Sequence, residues 1–166
     1  MELYLLRHGI AADIAGKIRS DSERPLTAEG TKEMRAEAKG MIHLGLNFSA
    51  ILTSPLIRAK QTAEAVADVL GCSQKIKTCR ALGIPSVRQE LVEELEEFRG
   101  EDKILLVGHE PDMGHLAAYF IGMMKLRLPF KKGSLCRIDI GRPSSPGGEL
   151  KWFLTPKQLK LIGEAS

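Results

Sequence analysis

Two arginines and two histidines follow the ends of three short apolar stretches. Arg7 and His8 come after "LYLL", Arg58 comes shortly after "SAILTS", and His109 comes after "KILLVG". An arginine fork can bind two oxygens of a phosphoryl group. A neutral histidine can attack phosphorus, and a second, charged histidine can stabilise the oxygens in transfer. These residue types therefore indicate phosphoryl transfer, provided that the fold brings them together.

The three apolar stretches, at 3–6, 49–54 and 103–108, are typical of strands buried on both faces. Continuous rather than alternating apolarity is the pattern of a central parallel strand. Ligands of open α/β sheets collect outside the carboxyl ends of such strands. The four residues are therefore expected at one edge of a parallel sheet.

Segments with helical periodicity separate these strands. The first helix is expected to begin near Thr27, and the second to follow "SPLIR". A third is expected to start at Ser86, since Ser86 and Gln89 have capping-box spacing. A fourth is expected to follow Pro111, which suits a first-turn position, with Met124 among its inward-facing residues.

The last third of the chain has a different pattern. Residues 133–140 and 148–154 partly alternate, and "GRPSSPGG" between them is rich in turn residues. This pattern predicts two antiparallel strands at an edge of the sheet. The whole chain is then an α/β three-layer sandwich with a mostly parallel central sheet, in one domain over residues 1–166.

The bulk properties exclude several classes of protein. The net charge of +3 is mild, basic residues are scattered among acidic ones, and aromatics make up 5% of the chain, which does not favour a nucleic-acid partner. The three cysteines, Cys72, Cys79 and Cys136, have neither disulfide nor zinc-ligand spacing, and no metal is expected. No apolar run is long enough for a membrane span, and the start lacks a signal-peptide pattern. A reducing cytoplasm is therefore the expected location.

Each residue taken alone also fits a structural role. A histidine at a strand end is often simply hydrogen-bonded, and a lone arginine is often part of a surface ion pair. His43, at the end of the first helix, and His115, in the fourth, have no polar company and are expected to be structural. Only the joint pattern at the strand ends indicates a phosphate site.

Three motifs carry a resemblance to a known family. "LRHG", "TSPLIRAKQTAE" and "VGHEP", in this order, resemble the histidine phosphatase (phosphoglycerate-mutase-like) superfamily. The loop "DSERPLTAEG" and the ending "WFLTPKQLK" are similar to those of its small SixA-type phosphohistidine phosphatases. The resemblance covers essentially the whole chain and implies a histidine phosphatase fold.

The resemblance also implies roles for the strand-end residues. His8 resembles the nucleophile that becomes phosphorylated, and Arg7 the phosphate clamp beside it. Arg58 resembles the second arginine of the pocket, and His109 the second histidine. The family needs no metal or other cofactor.

One departure from the larger family members bears on the substrate. Those members place helical insertions and an acidic proton donor after the third strand, whereas "TCRALGIPSVRQEL" leaves no room for a cap. Glu90 and Glu93 fit a helix surface better than a donor site. Asp13, Asp21 and Glu23, in the loop after the nucleophile, are the remaining candidate donors, and the sequence does not choose among them.

An open pocket with no assigned acid favours one substrate class. The imidazole leaving group of phosphohistidine, with a pKa of about 6.5, can leave already protonated, whereas an alkoxide needs a general acid. We therefore expect a metal-independent phosphatase that passes through a phosphohistidine enzyme intermediate. Its expected substrate is a phosphohistidine-bearing signalling or phosphorelay protein, and its product is inorganic phosphate. The alternatives are a phosphomonoesterase for a sugar phosphate or nucleotide and a non-catalytic phosphate-binding module; a mutase is disfavoured because an uncapped site shields its intermediate poorly.

Overall fold

The computed structural model describes residues 1–165 as a layered arrangement of strands and helices. The strands are β1 (Glu2–Arg7), β2 (Ala50–Thr53), β3 (Ile76–Thr78), β4 (Lys103–Gly108), β5 (Leu135–Asp139) and β6 (Glu149–Leu154). The helices are α1 (Ala28–His43), α2 (Ile57–Leu70), α3 (Arg88–Glu96), α4 (Asp112–Ile121) and α5 (Pro156–Glu164).

All six strands form one mixed sheet in the order β3-β2-β4-β1-β5-β6. The first four are mutually parallel, while β5 pairs antiparallel with β1, and β6 antiparallel with β5. The predicted α/β fold with an edge hairpin is therefore confirmed. A single domain over 1–166 stays a prediction, which this one sheet supports; residue 166 lies outside the described residues.

The strands are apolar along their length because both faces of the sheet are covered. Leu3 and Leu5 of β1 pack into one core cluster with side chains of α3 and α4. Tyr4 and Leu6, which point the other way, pack with side chains of α1, α2 and α5. Two helices on one face and three on the other make the three layers.

The predicted start of α1 is confirmed, whereas the predicted start of α3 is wrong. Thr27 caps α1, and its Oγ1 accepts the amide of Gly30 at 2.9 Å. The capping box expected at Ser86 does not form, and α3 begins at Arg88. The reason is tertiary: the Ser86 amide donates to Asp112 Oδ2 of α4 at 3.3 Å.

The fourth helix is shorter than its sequence pattern indicates. Pro111 is its N-cap rather than a first-turn residue, and it ends at Ile121. Gly122 then adopts a left-handed conformation with φ +79° and turns the chain away. Met124, expected to face inward, is consequently 64% exposed.

Helix α5 was not predicted, although its start carries a clear signal. Thr155 and Gln158 form a capping box, and Pro156 occupies the first turn. Leu159 is buried in the cluster shared with α1. The motif "TPKQ" would have indicated this helix.

Two further observations concern the described residues 1–165. No helix among them is long and apolar enough to cross a membrane. Cys72, Cys79 and Cys136 are all free thiols and all buried.

Candidate active site

The pairing of three parallel strands brings the polar strand ends together. Arg7 pairs with Gly108 across β1 and β4, and the His8 amide donates to the Gly108 carbonyl at 3.0 Å. On the other side of β4, the Ser54 amide after β2 donates to the Val107 carbonyl at 3.0 Å. The prediction that these strand ends lie side by side is confirmed.

His8 is buried and oriented as a nucleophile would need to be. Its Nδ1 lies 2.7 Å from the Gly9 carbonyl, which can only accept, so Nδ1 carries the proton and Nε2 keeps a lone pair. Burial first, and then the nearby His109, Arg58 and Arg7, lower the pKa of His8 from 6.5 to about 3, against the Gly9 hydrogen bond. The ring is therefore neutral at physiological pH.

Packing leaves little room beside Gly9. A Cβ at this position would lie 2.7 Å from Cγ of Met34 in α1. The Gly9 amide donates to Thr62 Oγ1 at 3.1 Å, and that hydroxyl donates to the Arg58 carbonyl at 2.7 Å. Thr62 thus ties the turn after His8 to the helix that carries Arg58.

Arg58 is buried, and all three of its nitrogens donate within the pocket. Its Nε donates to His8 Nε2 at 3.3 Å, its Nη1 to the Asp21 carbonyl at 2.6 Å and its Nη2 to Asp21 Oδ2 at 2.8 Å. These hydrogen bonds, with Arg24 assisting, lower the pKa of the Asp21 carboxyl. The Asp21 carboxylate occupies an edge of the guanidinium that a phosphate would also bind, so the two compete.

Arg7 is held by the chain segment that precedes β5. Its Nη1 donates to the Phe130 carbonyl at 2.7 Å. Glu110 fixes this segment, since its two oxygens accept the amides of Phe130 and Gly114, each at 3.0 Å. Arg7 Nε is buried without a hydrogen-bond partner among the described residues, and a phosphate oxygen would provide one.

His109 is the second buried histidine, with its ring centroid 5.1 Å from that of His8. Its Nε2 is hydrogen-bonded to Ser54 Oγ at 2.7 Å. Burial, and then Arg58, lower its pKa from 6.5 to about 4. The charged histidine expected from sequence is therefore neutral in the free pocket, and the negative charge of a bound phosphate would raise its pKa.

These side chains line an open pocket of about 390 Å³. Its wall carries four cations and two carboxylates, namely Arg7, Arg24, Arg58, Lys132, Asp21 and Glu110. With both histidines neutral, the excess of two positive charges matches a phosphate dianion. Residues 79–87 connect β3 to α3 through one short 3-10 turn at Arg80–Leu82, so no helical cap is inserted there. Within residues 1–165, no group of three or more histidine, cysteine, aspartate or glutamate side chains could hold a metal ion.

The candidate proton donors differ in their placement. Asp13 has a fully exposed side chain, 3.8 Å from Arg24. Glu23 is exposed and accepts the Arg19 amide at 2.9 Å. Asp21 does reach the pocket, but its ion pair with Arg58 favours the ionised form. Glu90 and Glu93 of α3, which the sequence places on a helix surface, are both exposed.

Sequence reasoning did not single out three residues of the pocket region. Glu110 stands in the "GHEP" motif, Lys132 in "FKKG" and Thr62 in "KQTAE". Glu110 follows His109 directly in the sequence, and Lys132 belongs to a basic pair before β5, so both carried a local signal. Thr62 carries no local signal, because its role depends on a contact across 53 residues.

Comparisons with known proteins agree with this fold. The model of the histidine phosphatase superfamily (branch 1) matches residues 3–83. An uncharacterized protein of Picosynechococcus is 39% identical, with 96% of this chain and 99% of the relative covered. The phosphohistidine phosphatase SixA of Escherichia coli is 29% identical, covering 97% and 98% respectively. A solved structure of the protein histidine phosphatase SixA with tungstate superposes with a TM-score of 0.85 at 28% identity, covering 96% of this chain and 99% of that one.

The fold is that of the SixA histidine phosphatases, and the chain is a phosphatase. The chain belongs to the histidine phosphatase superfamily.

Proposed function

We propose that this phosphatase removes the phosphoryl group from phosphohistidine on a signalling or phosphorelay protein, through a covalent intermediate on His8. The observation that carries the proposal is the state of His8. The ring is neutral, its Nδ1 proton is held by the Gly9 carbonyl, and its Nε2 faces Arg58. A nucleophile with these properties needs no further activation at neutral pH.

In the first step, the lone pair of His8 Nε2 attacks phosphorus in line, and the P–N bond of the substrate breaks. The bonding electrons leave with the substrate imidazole, which carries a proton and so departs neutral. Arg7, Arg58 and His109 hold the equatorial oxygens, and Arg58 exchanges its hydrogen bonds to His8 and Asp21 for phosphate oxygens. Such charge stabilisation is the main requirement of phosphoryl transfer.

In the second step, water attacks the phosphorus bound to His8. The P–Nε2 bond breaks, its electrons return to His8, and the proton lost by water leaves with inorganic phosphate or solvent. The open pocket gives water direct access to the intermediate. Hydrolysis, rather than return of the phosphoryl group to a bound substrate, follows from that access.

The carboxyl groups of the site support a phosphohistidine rather than an ester as substrate. Asp21 is held ionised by Arg58, and both oxygens of Glu110 accept backbone amides. An alkoxide would find no ready acid there, whereas a protonated imidazole needs none. We propose the cytoplasm as the location, since three buried free thiols suit a reducing compartment.

The test is to trap the intermediate. The protein is mixed for milliseconds with a ³²P-phosphohistidine protein, quenched in alkali and digested. We expect an acid-labile, alkali-stable label on the peptide that contains His8. The label should be absent from His8→Ala and retained in His43→Ala, a change at an exposed histidine outside the pocket.

Steady-state rates on the same protein and on a panel of sugar phosphates and nucleotides then test the substrate class. Turnover of the phosphohistidine protein with no label on His8 would overturn the covalent mechanism. Faster turnover of the esters would favour a small-metabolite phosphatase. Phosphate binding without hydrolysis of any of them would indicate a binding module.

A further inference from the structure

A basic segment lies beside the pocket, between α4 and β5. We define it as residues 123–132, "MMKLRLPFKK", which contain four cations and no acid. The whole chain has 24 basic and 21 acidic residues, and without these four cations its formal charge would be −1. Ten consecutive residues thus carry four positive charges and no negative one.

The four cations of the basic segment form no direct ion pair among residues 1–165. Lys125, Arg127 and Lys131 are exposed, and Lys132 lines the catalytic pocket. Among residues 1–165, none of the four lies within 4.0 Å of a carboxylate. Like charges on one segment repel one another, and an anionic partner would relieve that repulsion.

The basic segment follows a fixed path because Phe130 anchors it. Phe130 is buried, its ring meets Phe153 edge-on at 4.9 Å, and its carbonyl and amide bind Arg7 and Glu110. The cations on either side of Phe130 therefore keep a defined position relative to the phosphate clamp.

A groove runs between the basic segment and the start of α4. It has a volume of about 660 Å³, and its walls include His115, Met124, Lys125 and Arg127. Glu110 lines both this groove and the catalytic pocket, so the two adjoin. Met123 and Met124 are 58% and 64% exposed and offer flexible apolar contacts among the cations.

The short phosphohistidine side chain brings the partner protein close to the basic segment and its groove. A phosphohistidine presents its phosphoryl group only one side-chain length from its own backbone. The partner surface around that residue must then rest on the rim of the pocket. A membrane in the same place would cover the pocket, which favours a protein as the occupant.

We infer that the basic segment and its groove form the docking surface for an acidic face of the protein that carries the phosphohistidine. The inference rests on the proposed function, and it adds that the positive charge of this surface selects the partner. Complementary charge of this kind steers two proteins together and raises their association rate by about tenfold or more. The increase in rate becomes smaller as salt is added.

The test compares two charge reversals of equal size. Lys125→Glu/Arg127→Glu changes the basic segment without touching the catalytic residues. The control, Lys39→Glu/Lys157→Glu, changes two exposed lysines that form no ion pair among residues 1–165. They lie in α1 and α5, and these helices cover the face of the sheet opposite to α4. The substrates are an acidic phosphotransfer domain phosphorylated on histidine and, as a small probe, free phosphohistidine.

We expect the first variant to raise KM for the phosphorylated domain by about tenfold at low salt, with kcat and the rate on free phosphohistidine unchanged. The control should stay within about twofold of the parent, because rim charges far from the contact contribute little. Added NaCl should raise KM for the parent and leave that of the first variant nearly unchanged.

The docking surface and the proposed function fail in different ways. Equal KM values in all three proteins, with the parent active on the domain, would overturn the docking surface alone. A parent active on phosphoesters but inactive on the domain would overturn the proposed function and, with it, this partner. Salt-sensitive binding of the parent to phosphatidylserine vesicles, lost in the first variant with KM unchanged, would reassign the basic segment to a membrane.

Discussion

Burial sets the protonation state of the two pocket histidines. His8 and His109 are 6% and 2% exposed, and arginines stand beside both. Desolvation and neighbouring positive charge each disfavour the imidazolium. A histidine that is neutral over the whole physiological range remains a nucleophile even where free imidazole would be protonated.

This predicts an unusual titration of both rings. In two-dimensional ¹⁵N spectra, we expect His8 and His109 to stay neutral from pH 8 to 5.5, since their pKa values are lowered to about 3 and about 4. Free histidine in the same tube, with a pKa near 6.5, serves as the reference. His8→Asn and His109→Asn assign the two signals. A midpoint near 6.5 for either ring would contradict the prediction.

At the scale of elements, α5 packs unusually closely on α1. Gly40 of α1 faces the backbone of Leu159 in α5, and Lys160 of α5 reaches Glu33 of α1 at 2.7 Å. A Cβ at position 40 would collide with the Leu159 carbonyl oxygen. Backbone cannot move aside as a flexible side chain can, so this contact requires glycine.

We therefore expect Gly40→Ala to destabilise the protein although alanine is the better helix former. The gain in helix propensity is about 1 kcal/mol, whereas overpacking costs about 1–3 kcal/mol and more when it separates two helices. The measurement is the free energy of unfolding in urea. Gly141→Ala is the matched control, because nothing lies within 4 Å of its added carbon, and it should be nearly neutral. Equal stability of the two variants would contradict the close packing.

At the scale of the whole molecule, one buried acid and two buried bases set the dependence of stability on pH. Glu37 of α1 is buried, and its Oε2 has no hydrogen-bond partner among residues 1–165. Burial, and then Glu33, raise its pKa from 4.5 to about 8, while Lys160 opposes this. The folded chain thus retains a proton on Glu37 that the unfolded chain loses near pH 4.5.

The signs of these contributions differ. Because Glu37 holds its proton only when folded, stability falls as pH rises from about 4.5 to about 8. His8 and His109 bind protons more readily when unfolded, so their contribution is present above pH 6.5 and is lost as pH falls toward about 3 and about 4, respectively. Below pH 6.5 the two histidines change stability more than the single glutamate does, so stability rises with pH. Above pH 6.5 the contribution of Glu37 remains, and stability falls with pH.

We accordingly expect the free energy of unfolding to be greatest near pH 6.5, falling on either side by up to about 1.4 kcal/mol per pH unit for each net proton. Urea unfolding from pH 5 to 8 measures it. Glu37→Gln should abolish the decline between pH 6.5 and 8, whereas Glu33→Gln, at a half-buried position, should keep most of it. Stability that rises steadily to pH 8 in the parent would contradict this account.

Several features of the protein are determined by short stretches of sequence. The apolar runs that end in Arg7, Ser54 and Gly108 predicted three parallel strands, because a strand buried on both faces needs continuous apolarity. Parallel strands place their carboxyl ends at one edge, so His8 and His109 were predicted to meet. The resemblance in "LRHG", "TSPLIRAKQTAE" and "VGHEP" agrees with the superfamily that the comparisons show.

Other features depend on contacts between residues distant in sequence. Ser86 has capping-box spacing, but its amide is bound by Asp112. Glu37 resembles any surface glutamate until the fold buries it against Gly133. The charge of His109 depends on burial and then on Arg58 of α2. Local sequence therefore determined the elements and the chemical groups at their ends. Tertiary structure decided their protonation and partners, because burial and electrostatic fields are properties of the assembled fold.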